Sequence, residues 1–259
     1  MKMTLIGYGK MGHLIADVAK KRKHDIVATI DVFSEDASVR VPVGSGKAVA
    51  EAVEKSGAEC VIDFSHPSAI IENIKAVLPT KIPMIVGTTG WNNEMTEIEK
   101  FAASCGGTIM ASSNFSIGVN LFYKIIEEAV KLVKEFPEYD IATWEMHHNQ
   151  KADSPSGTAL EIAKRILSND PVKKELVTDA FHGKPQTEQL HVSSTRCGYT
   201  PGTHTVWFDS SADTIELTHR ARNREGFALG AVIAAEKLLT CIKNHTISAG
   251  KLYTMKDLF

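Results

Sequence analysis

The chain has 259 residues, 43% hydrophobic and 23% charged, with a formal net charge of −2. That composition is ordinary for a soluble globular protein and the length suffices for two modest domains. The charge gives no electrostatic case for nucleic acid or an anionic membrane, and no run of about 18 apolar residues could span a bilayer. Four cysteines, Cys60, Cys105, Cys197 and Cys241, form no CxxC pair. They read as reduced thiols of a cytoplasmic protein.

The start, "MKMTLIGYGKMG", reads as a strand running into a glycine motif rather than as a signal peptide. Met3–Gly7 is the strand, and His13–Lys21 carries a helical apolar stripe at Leu14, Ile15, Val18 and Ala19. Ile26–Asp31 and Cys60–Ser65 are the next strands, with a helix opened by Pro67. Ile82–Gly90 is a strand ending in a Gly/Thr turn, Asn93–Ser104 a helix, and Thr108–Ser113 strand-like. Near-continuous apolar strands alternating with helices imply a parallel sheet covered on both faces.

The rhythm changes after Asn114. A helix over about Gly118–Lys134 leads to the strand Asp140–Met146 and then to the polar stretch "WEMHHNQKADSPSGTAL" (Trp144–Leu160). The helix Thr158–Leu167 follows, then strands Glu188–Arg196, Thr203–Ser210 and Asp213–His219, the last two joined as an antiparallel hairpin near Ser211-Ala212. A final helix runs from about Glu225 to Ile242. Helices grouped with antiparallel strands suggest an α+β second domain. The segments Val39–Gly46 and Asn169–Gln186 read as the mobile loops.

"GYGKMG" sets Gly7, Gly9 and Gly12 at G-x-G-x-x-G spacing between a strand and a helix. In that context the glycines permit a tight turn, close approach of backbone to a pyrophosphate, and close helix–strand packing. Asp31 ends the second strand, where an acid binds the adenosine ribose hydroxyls. A carboxylate there suits a free 2′-hydroxyl, and Val32 follows it rather than an arginine, so NADH is favoured over NADPH. Arg22, Lys23, Arg40 and Lys47 remain able to approach a 2′-phosphate. "GTTG" (Gly87–Gly90) and "SSNF" (Ser112–Phe115) each follow a strand, where an open parallel sheet binds ligands. They read equally well as ordinary β–α turns.

In the polar stretch, Lys151 lies four residues beyond His147. Pro155 suits the first turn of the next helix. The N–H groups of Ser156, Gly157 and Thr158 could form an anion pocket, and a histidine beside them can move a proton near neutral pH. A solvated polar loop and a metal site drawing on His147, His148 and Asp153 are the alternatives. Adjacent histidines on an extended strand end point opposite ways, which makes joint ligation awkward. Asp153 reads as a helix cap or as the partner of Lys151.

The motifs together resemble the 4-hydroxy-tetrahydrodipicolinate reductase (dihydrodipicolinate reductase) family of the diaminopimelate route to lysine. They are "GYGKMG", "VIDFSHP" (Val61–Pro67), "VGTTGW" (Val86–Trp91), "SSNFSIGVN" (Ser112–Asn120), "EMHHNQKADSPSGTAL" (Glu145–Leu160), "PGTHTVWF" (Pro201–Phe208), "IELTHRARNREGFALGA" (Ile215–Ala231) and "GKLYTMKDL" (Gly250–Leu258). The block H-H-x-x-K-x-D-x-P-S-G-T is the most specific of them.

The resemblance implies an α/β chain: a Rossmann-like parallel-sheet cofactor domain over 1–114, with about 225–259 packing back on it, and an α+β substrate and oligomerisation domain with a mixed sheet over 115–224. It implies hinges between them and a cytoplasmic homotetramer assembled through the substrate-domain sheets. It gives Gly7, Tyr8, Gly9, Lys10, Met11, Gly12 and Asp31 to the dinucleotide, NADH or NADPH. Gly87, Thr88, Thr89, Ser112, Ser113, Asn114 and Phe115 fall on its nicotinamide side. His147 resembles the acid/base histidine and Lys151 the proton donor, while His148, Gly157 and Thr158 resemble the binders of a cyclic dicarboxylate. No metal, nucleic acid or membrane is implied. Ser154 stands where relatives often carry alanine, and Asn149-Gln150 where they are more basic. The Cys197–Thr205 loop is a longer Pro-Gly variant with no role assigned. Another dehydrogenase on the same scaffold, or a nicotinamide sensor, would share Gly7–Gly12 and Asp31 but has no need of His147 and Lys151 beside a helix start.

Overall fold

The structure is a computed structural model that describes residues 1–258. Its first half contains β1 (Lys2–Ile6), α1 (Lys10–Lys21), β2 (Asp25–Asp31), β3 (Val39–Arg40), α2 (Gly46–Ser56), β4 (Cys60–Asp63), α3 (Ile70–Val77), β5 (Met84–Val86), α4 (Met95–Cys105) and β6 (Ile109–Ala111). Then come α5 (Ile117–Val133), β7 (Asp140–His147), α6 (Gly157–Asn169), β8 (Glu175–Val177), β9 (Gln189–Arg196), β10 (Thr203–Asp209) and β11 (Thr214–Arg220). The chain closes with α7 (Glu225–Lys243), β12 (Leu252–Tyr253) and α8 (Met255–Leu258). Two compact units result: Met1–Ile117 with the segment from Glu225 onward, and Gly118–Arg224. No described helix is long and apolar enough to cross a membrane.

The first unit is a seven-stranded sheet in the order β12-β6-β5-β4-β1-β2-β3, parallel at every pairing. Consecutive strand residues point to opposite faces, and both faces are buried. Leu5, Ile62 and Ile85 pack with Ile15 and Val18 of α1 and Ala231 and Leu238 of α7. Ile6, Val61 and Val86 pack with Val49 and Val53 of α2, Ile74 of α3 and Ile98 of α4. This two-sided burial explains the continuous apolar runs, and a buried Leu or Ile contributes roughly 1.5–3 kcal/mol. Glu236 of α7 ties the C-terminal helix down, accepting from Arg22 Nε and contacting His24 Nε2, both at 2.7 Å.

The strand order reverses between β1 and β4, so the loops after them flank a topological switch point, the place where such sheets bind ligands. The second unit is a mixed sheet in the order β11-β10-β7-β9-β8, with β7, β9 and β8 mutually parallel and β10 antiparallel to β7 and β11. One face carries Ile141, Val192, Val206 and Phe208 against Phe122 and Ile126 of α5 and Ile162 and Ile166 of α6.

Two segments expected to be mobile loops are partly structured. Val39–Arg40 pairs with β2, and Val41 is buried. Glu175–Val177 pairs with β9, and Lys173 is buried, donating from Nζ to the carbonyls of Thr187 and Gln189. Neither strand is long enough to show a period in the sequence; each exists because a longer strand offers it an edge. The helix α2 carries no clear apolar stripe in the sequence, because its buried residues are only Gly46, Val49 and Val53.

Candidate active site

At the carboxyl edge of the first sheet, Gly7 follows β1 with φ +86°. A Cβ there would lie 2.4 Å from the carbonyl oxygen of Phe64, so only glycine fits beside the loop after β4. A Cβ on Gly12 would lie 2.3 Å from the Gly7 carbonyl oxygen, while one on Gly9 would meet nothing within 4 Å. Gly7 and Gly12 therefore close the turn and seat α1, and open space lies over Gly9, where a pyrophosphate would fit. Tyr8 stacks on His13 at 4.1 Å between ring centroids, and Lys10 is exposed.

Asp31 at the end of β2 accepts from the N–H groups of Tyr8 (2.7 Å), Phe33 (2.7 Å) and Ser34 (2.8 Å). Partial burial pushes its carboxyl up, but these backbone donors together outweigh that and hold it below its ordinary value. Arg40 stands in register beside Asp31 on β3. Arg22 follows the carboxyl end of α1 and is paired with Glu236. The strand ends of β4, β5 and β6 continue this edge.

Two residues expected on the nicotinamide side turn their side chains inward. Thr88 is buried and donates to Asp63 Oδ1 at 3.0 Å. Phe115 is buried in the core, where a Cβ on Gly230 of α7 would collide with its carbonyl oxygen. Only their backbones remain for a ligand. Gly87 lies under the Phe64 ring, whose atoms a Cβ would meet at 2.1–2.5 Å. Thr89 and Ser113 are both exposed at the edge, and Ser112 Oγ bridges the backbone of Asn114, donating to its carbonyl at 2.9 Å. The fully buried Asp63, unnoticed in the sequence, joins the loops after β4 and β5. It accepts from Ser65 N–H (2.8 Å), Asn73 Nδ2 (3.0 Å) and Thr88 Oγ1. Burial drives its carboxyl upward despite these donors.

In the second unit, β7 alternates burial along its length, so Thr143, Glu145 and His147 share the inner face and His148 leaves it. Glu145 is completely buried. Its Oε1 accepts from Arg196 (2.8 Å) and from the Ser156 N–H (3.1 Å), and its Oε2 lies 2.6 Å from His147 Nδ1. Burial alone would push the Glu145 carboxyl up; contacts led by His147, Ser156 and Arg196 outweigh it and hold the group well below the usual carboxylate range. His204 from β10 stacks edge-on against His147 at 5.2 Å and meets Ser156 Oγ at 3.2 Å. Burial, reinforced by His147, depresses its imidazole to about 3.

The helix α6 begins at Gly157, with Ser156 as N-cap accepting from the Ala159 N–H. Pro155 thus precedes the cap rather than occupying the first turn. The expected anion pocket is corrected at two positions: the Ser156 N–H serves Glu145 and the Gly157 N–H serves Asp153. Asp153 both pairs with Lys151, at 2.7 Å, and accepts from the Gly157 N–H. Burial nudges its carboxyl upward, and the Lys151 contact, with the Gly157 N–H adding, brings it below the ordinary value. A Cβ on Gly157 would meet nothing within 4 Å, so space remains beside that residue.

Among the described residues, the histidines and acids that could share an ion are Glu145, His147 and His204, with candidate ligand atoms within 4.8 Å of one another. His148 and Asp153 are not among them. The 2.6 Å Glu145–His147 contact is a hydrogen-bond separation, shorter than two ligands keep around one zinc at about 2.0–2.1 Å bonds. Arg196 also places a cation on the same carboxylate.

Known proteins agree with this architecture. Models described as dihydrodipicolinate reductase, N-terminus and C-terminus, match residues 1–115 and 118–259. A 4-hydroxy-tetrahydrodipicolinate reductase of Christiangramia forsetii is 34% identical over 258 residues, covering 100% of this chain and 97% of the relative. One from Archaeoglobus fulgidus is 35% identical, covering 96% and 95%. Among solved structures, a dipicolinate-bound dihydrodipicolinate reductase from a Paenisporosarcina species superposes with a TM-score of 0.73 at 21% identity, covering 100% of this chain and 99% of that one. A probable dehydrogenase from Thermotoga maritima gives 0.58 at 11%, covering 95% and 89%, a likeness of fold alone. With both halves matched and full-length relatives above a third identical, the chain belongs to the dihydrodipicolinate reductase family.

Proposed function

We propose that the chain reduces 4-hydroxy-tetrahydrodipicolinate to tetrahydrodipicolinate, a step of the diaminopimelate route to lysine. Supporting this reading, His147 and the Ser156 N–H at the start of α6 both meet the buried Glu145 carboxylate, and Lys151 pairs with Asp153 just ahead of that helix start. Family membership and the dipicolinate-bound relative support the cyclic dicarboxylate as substrate.

A bound nicotinamide supplies a hydride. The substrate gains hydrogen at C4, loses its hydroxyl as water, and consumes one proton. Lys151 donates that proton as its ammonium, and His147 assists as acid or base. The Lys151 ammonium also stabilises negative charge that develops on the conjugated imine. The start of α6 at Gly157 and Thr158, with His148, holds a ring carboxylate and orients the ring. Gly7–Gly12 take the pyrophosphate, Asp31 the adenosine ribose, and the loops Gly87–Thr89 and Ser112–Phe115 the nicotinamide side.

NADH is the favoured cofactor, because Asp31 carries a negative charge where NADPH would bring its 2′-phosphate. Arg40 beside it keeps NADPH usable. The face of the second sheet opposite the helices, with the half-buried Trp144 and Trp207, supports a homotetramer built through that face. Lys151→Ala and His147→Ala should each lower kcat about 10²-fold or more while NADH binding survives. Normal turnover in either removes that residue from the chemistry. A kcat/KM higher with NADPH than with NADH overturns the cofactor assignment.

A further inference from the structure

His147 is proposed above to handle a proton, yet nothing in the signature block sets which of its nitrogens does so. We propose that Glu145 is the positioning residue for His147: it accepts the Nδ1 proton, fixes the imidazole tautomer, and leaves Nε2 as the nitrogen that exchanges protons with the substrate. This rests on the reading of His147 as the acid/base group.

Three observations carry it. Glu145 Oε2 and His147 Nδ1 are both completely buried and lie 2.6 Å apart; neither forms a hydrogen bond of good geometry with any group among the described residues, and His204 Nε2 stands 3.8 Å from Oε2. The contact is off the ideal axis, as catalytic contacts without substrate often are. The second carboxylate oxygen is held independently by Arg196 and the Ser156 N–H, so Glu145 is an anchored anion rather than a free side chain. On the opposite side of the ring stands Gly202 of the Pro-Gly loop, with φ +151°. A Cβ at Gly202 would lie 2.8 Å from Nε2. Only glycine fits against that nitrogen, which gives the Cys197–Thr205 loop a purpose. The charged and titratable groups around the ring are Glu145 on its own strand, Arg196 on β9, His204 on β10, His219 beyond it on β11, and Lys151 in the following loop.

The test uses Glu145→Gln, which keeps shape and volume. An amide has one acceptor oxygen. Arg196 and the Ser156 N–H both demand it, so the amide NH2 is left facing Nδ1 and forces the proton to Nε2. The expected result is a fall in kcat of about 10²-fold or more, with substrate KM and NADH binding near those of the unaltered protein. In 15N spectra of histidine-labelled protein at mildly alkaline pH, neutral His147 should carry its proton on Nδ1 in the unaltered chain and on Nε2 in the variant. A merely structural role for Glu145 would not move that signature. An Nε2-protonated ring in the unaltered protein, unchanged kcat in Glu145→Gln, or a fall in kcat without a tautomer change each overturns the proposal. Should the variant fail to fold, the spectrum of the unaltered protein decides. His147→Ala separates the two readings: if it abolishes turnover while Glu145→Gln does not, only the positioning role fails.

Discussion

Asp153 occupies the groups proposed to receive a substrate carboxylate. Its carboxylate pairs with Lys151 at 2.7 Å and accepts from the Gly157 N–H at the start of α6. A bound dicarboxylate that uses the same cation and the same helix end must first displace it. Asp153→Asn removes the charge but keeps an oxygen for the Gly157 N–H, so it isolates the ion-pair component. The two side chains are 24% and 57% exposed, which places the pair in the screened class worth about 0.2–1 kcal/mol. Releasing that competition should lower substrate KM by up to about 5-fold with kcat little changed. The assay is initial-rate loss of nicotinamide absorbance across substrate concentrations, at low and at high salt. The difference between the two proteins should shrink as salt screens the pair. An unchanged or higher KM in Asp153→Asn would refute the reasoning, since the carboxylate would then dock without contesting Lys151.

The glycine turn gives a paired prediction. Gly7→Ala should cost about 2–4 kcal/mol and lower Tm, because its Cβ strikes the Phe64 carbonyl at a positive φ. Gly9→Ala should leave Tm unchanged yet weaken NADH binding in a fluorescence titration; equal losses of Tm in both variants would contradict the separation of roles. For pH, the His204 imidazole titrates near 6.5 when unfolded and about 3 when folded. The unfolded chain therefore takes up the proton first. Stabilisation from a neutral His204 is complete above pH 6.5 and erodes by up to about 1.4 kcal/mol per unit as pH falls toward 3. His204→Gln should flatten that slope in denaturant unfolding between these limits, and parallel slopes would exclude the effect.

The fold class was legible because two-sided burial writes itself as unbroken apolar runs, and because β1, Gly7–Gly12 and α1 come in one local strand–turn–helix. Short edge strands such as Val39–Arg40 and Leu252–Tyr253 were not, since a two-residue strand is defined by its neighbour and not by its own pattern. The site divides the same way. His147 and Lys151 sit in one dense polar stretch and can be singled out there. Arg196 and His204 reach Glu145 from strands 51 and 59 residues further along the chain, at spacings that carry no signal. Glu145 itself had one: an acid in phase with Thr143 and His147 on the inner face of a strand is a buried charge, and buried charges have partners. Thr88 and Phe115 show the converse limit, because position after a strand does not reveal whether a side chain faces the ligand or the core.

Asp31 bears on any attempt to redesign cofactor choice in this protein. The usual engineering route replaces the acid at the end of the second strand to admit a phosphate. Here that acid also receives the Tyr8 N–H from inside the glycine turn and two more N–H groups from Phe33 and Ser34. Exchanging it would loosen the glycine turn proposed to hold the pyrophosphate of either cofactor. Altering preference without that collateral loss means leaving Asp31 in place and varying Arg40, its neighbour in register on the edge strand.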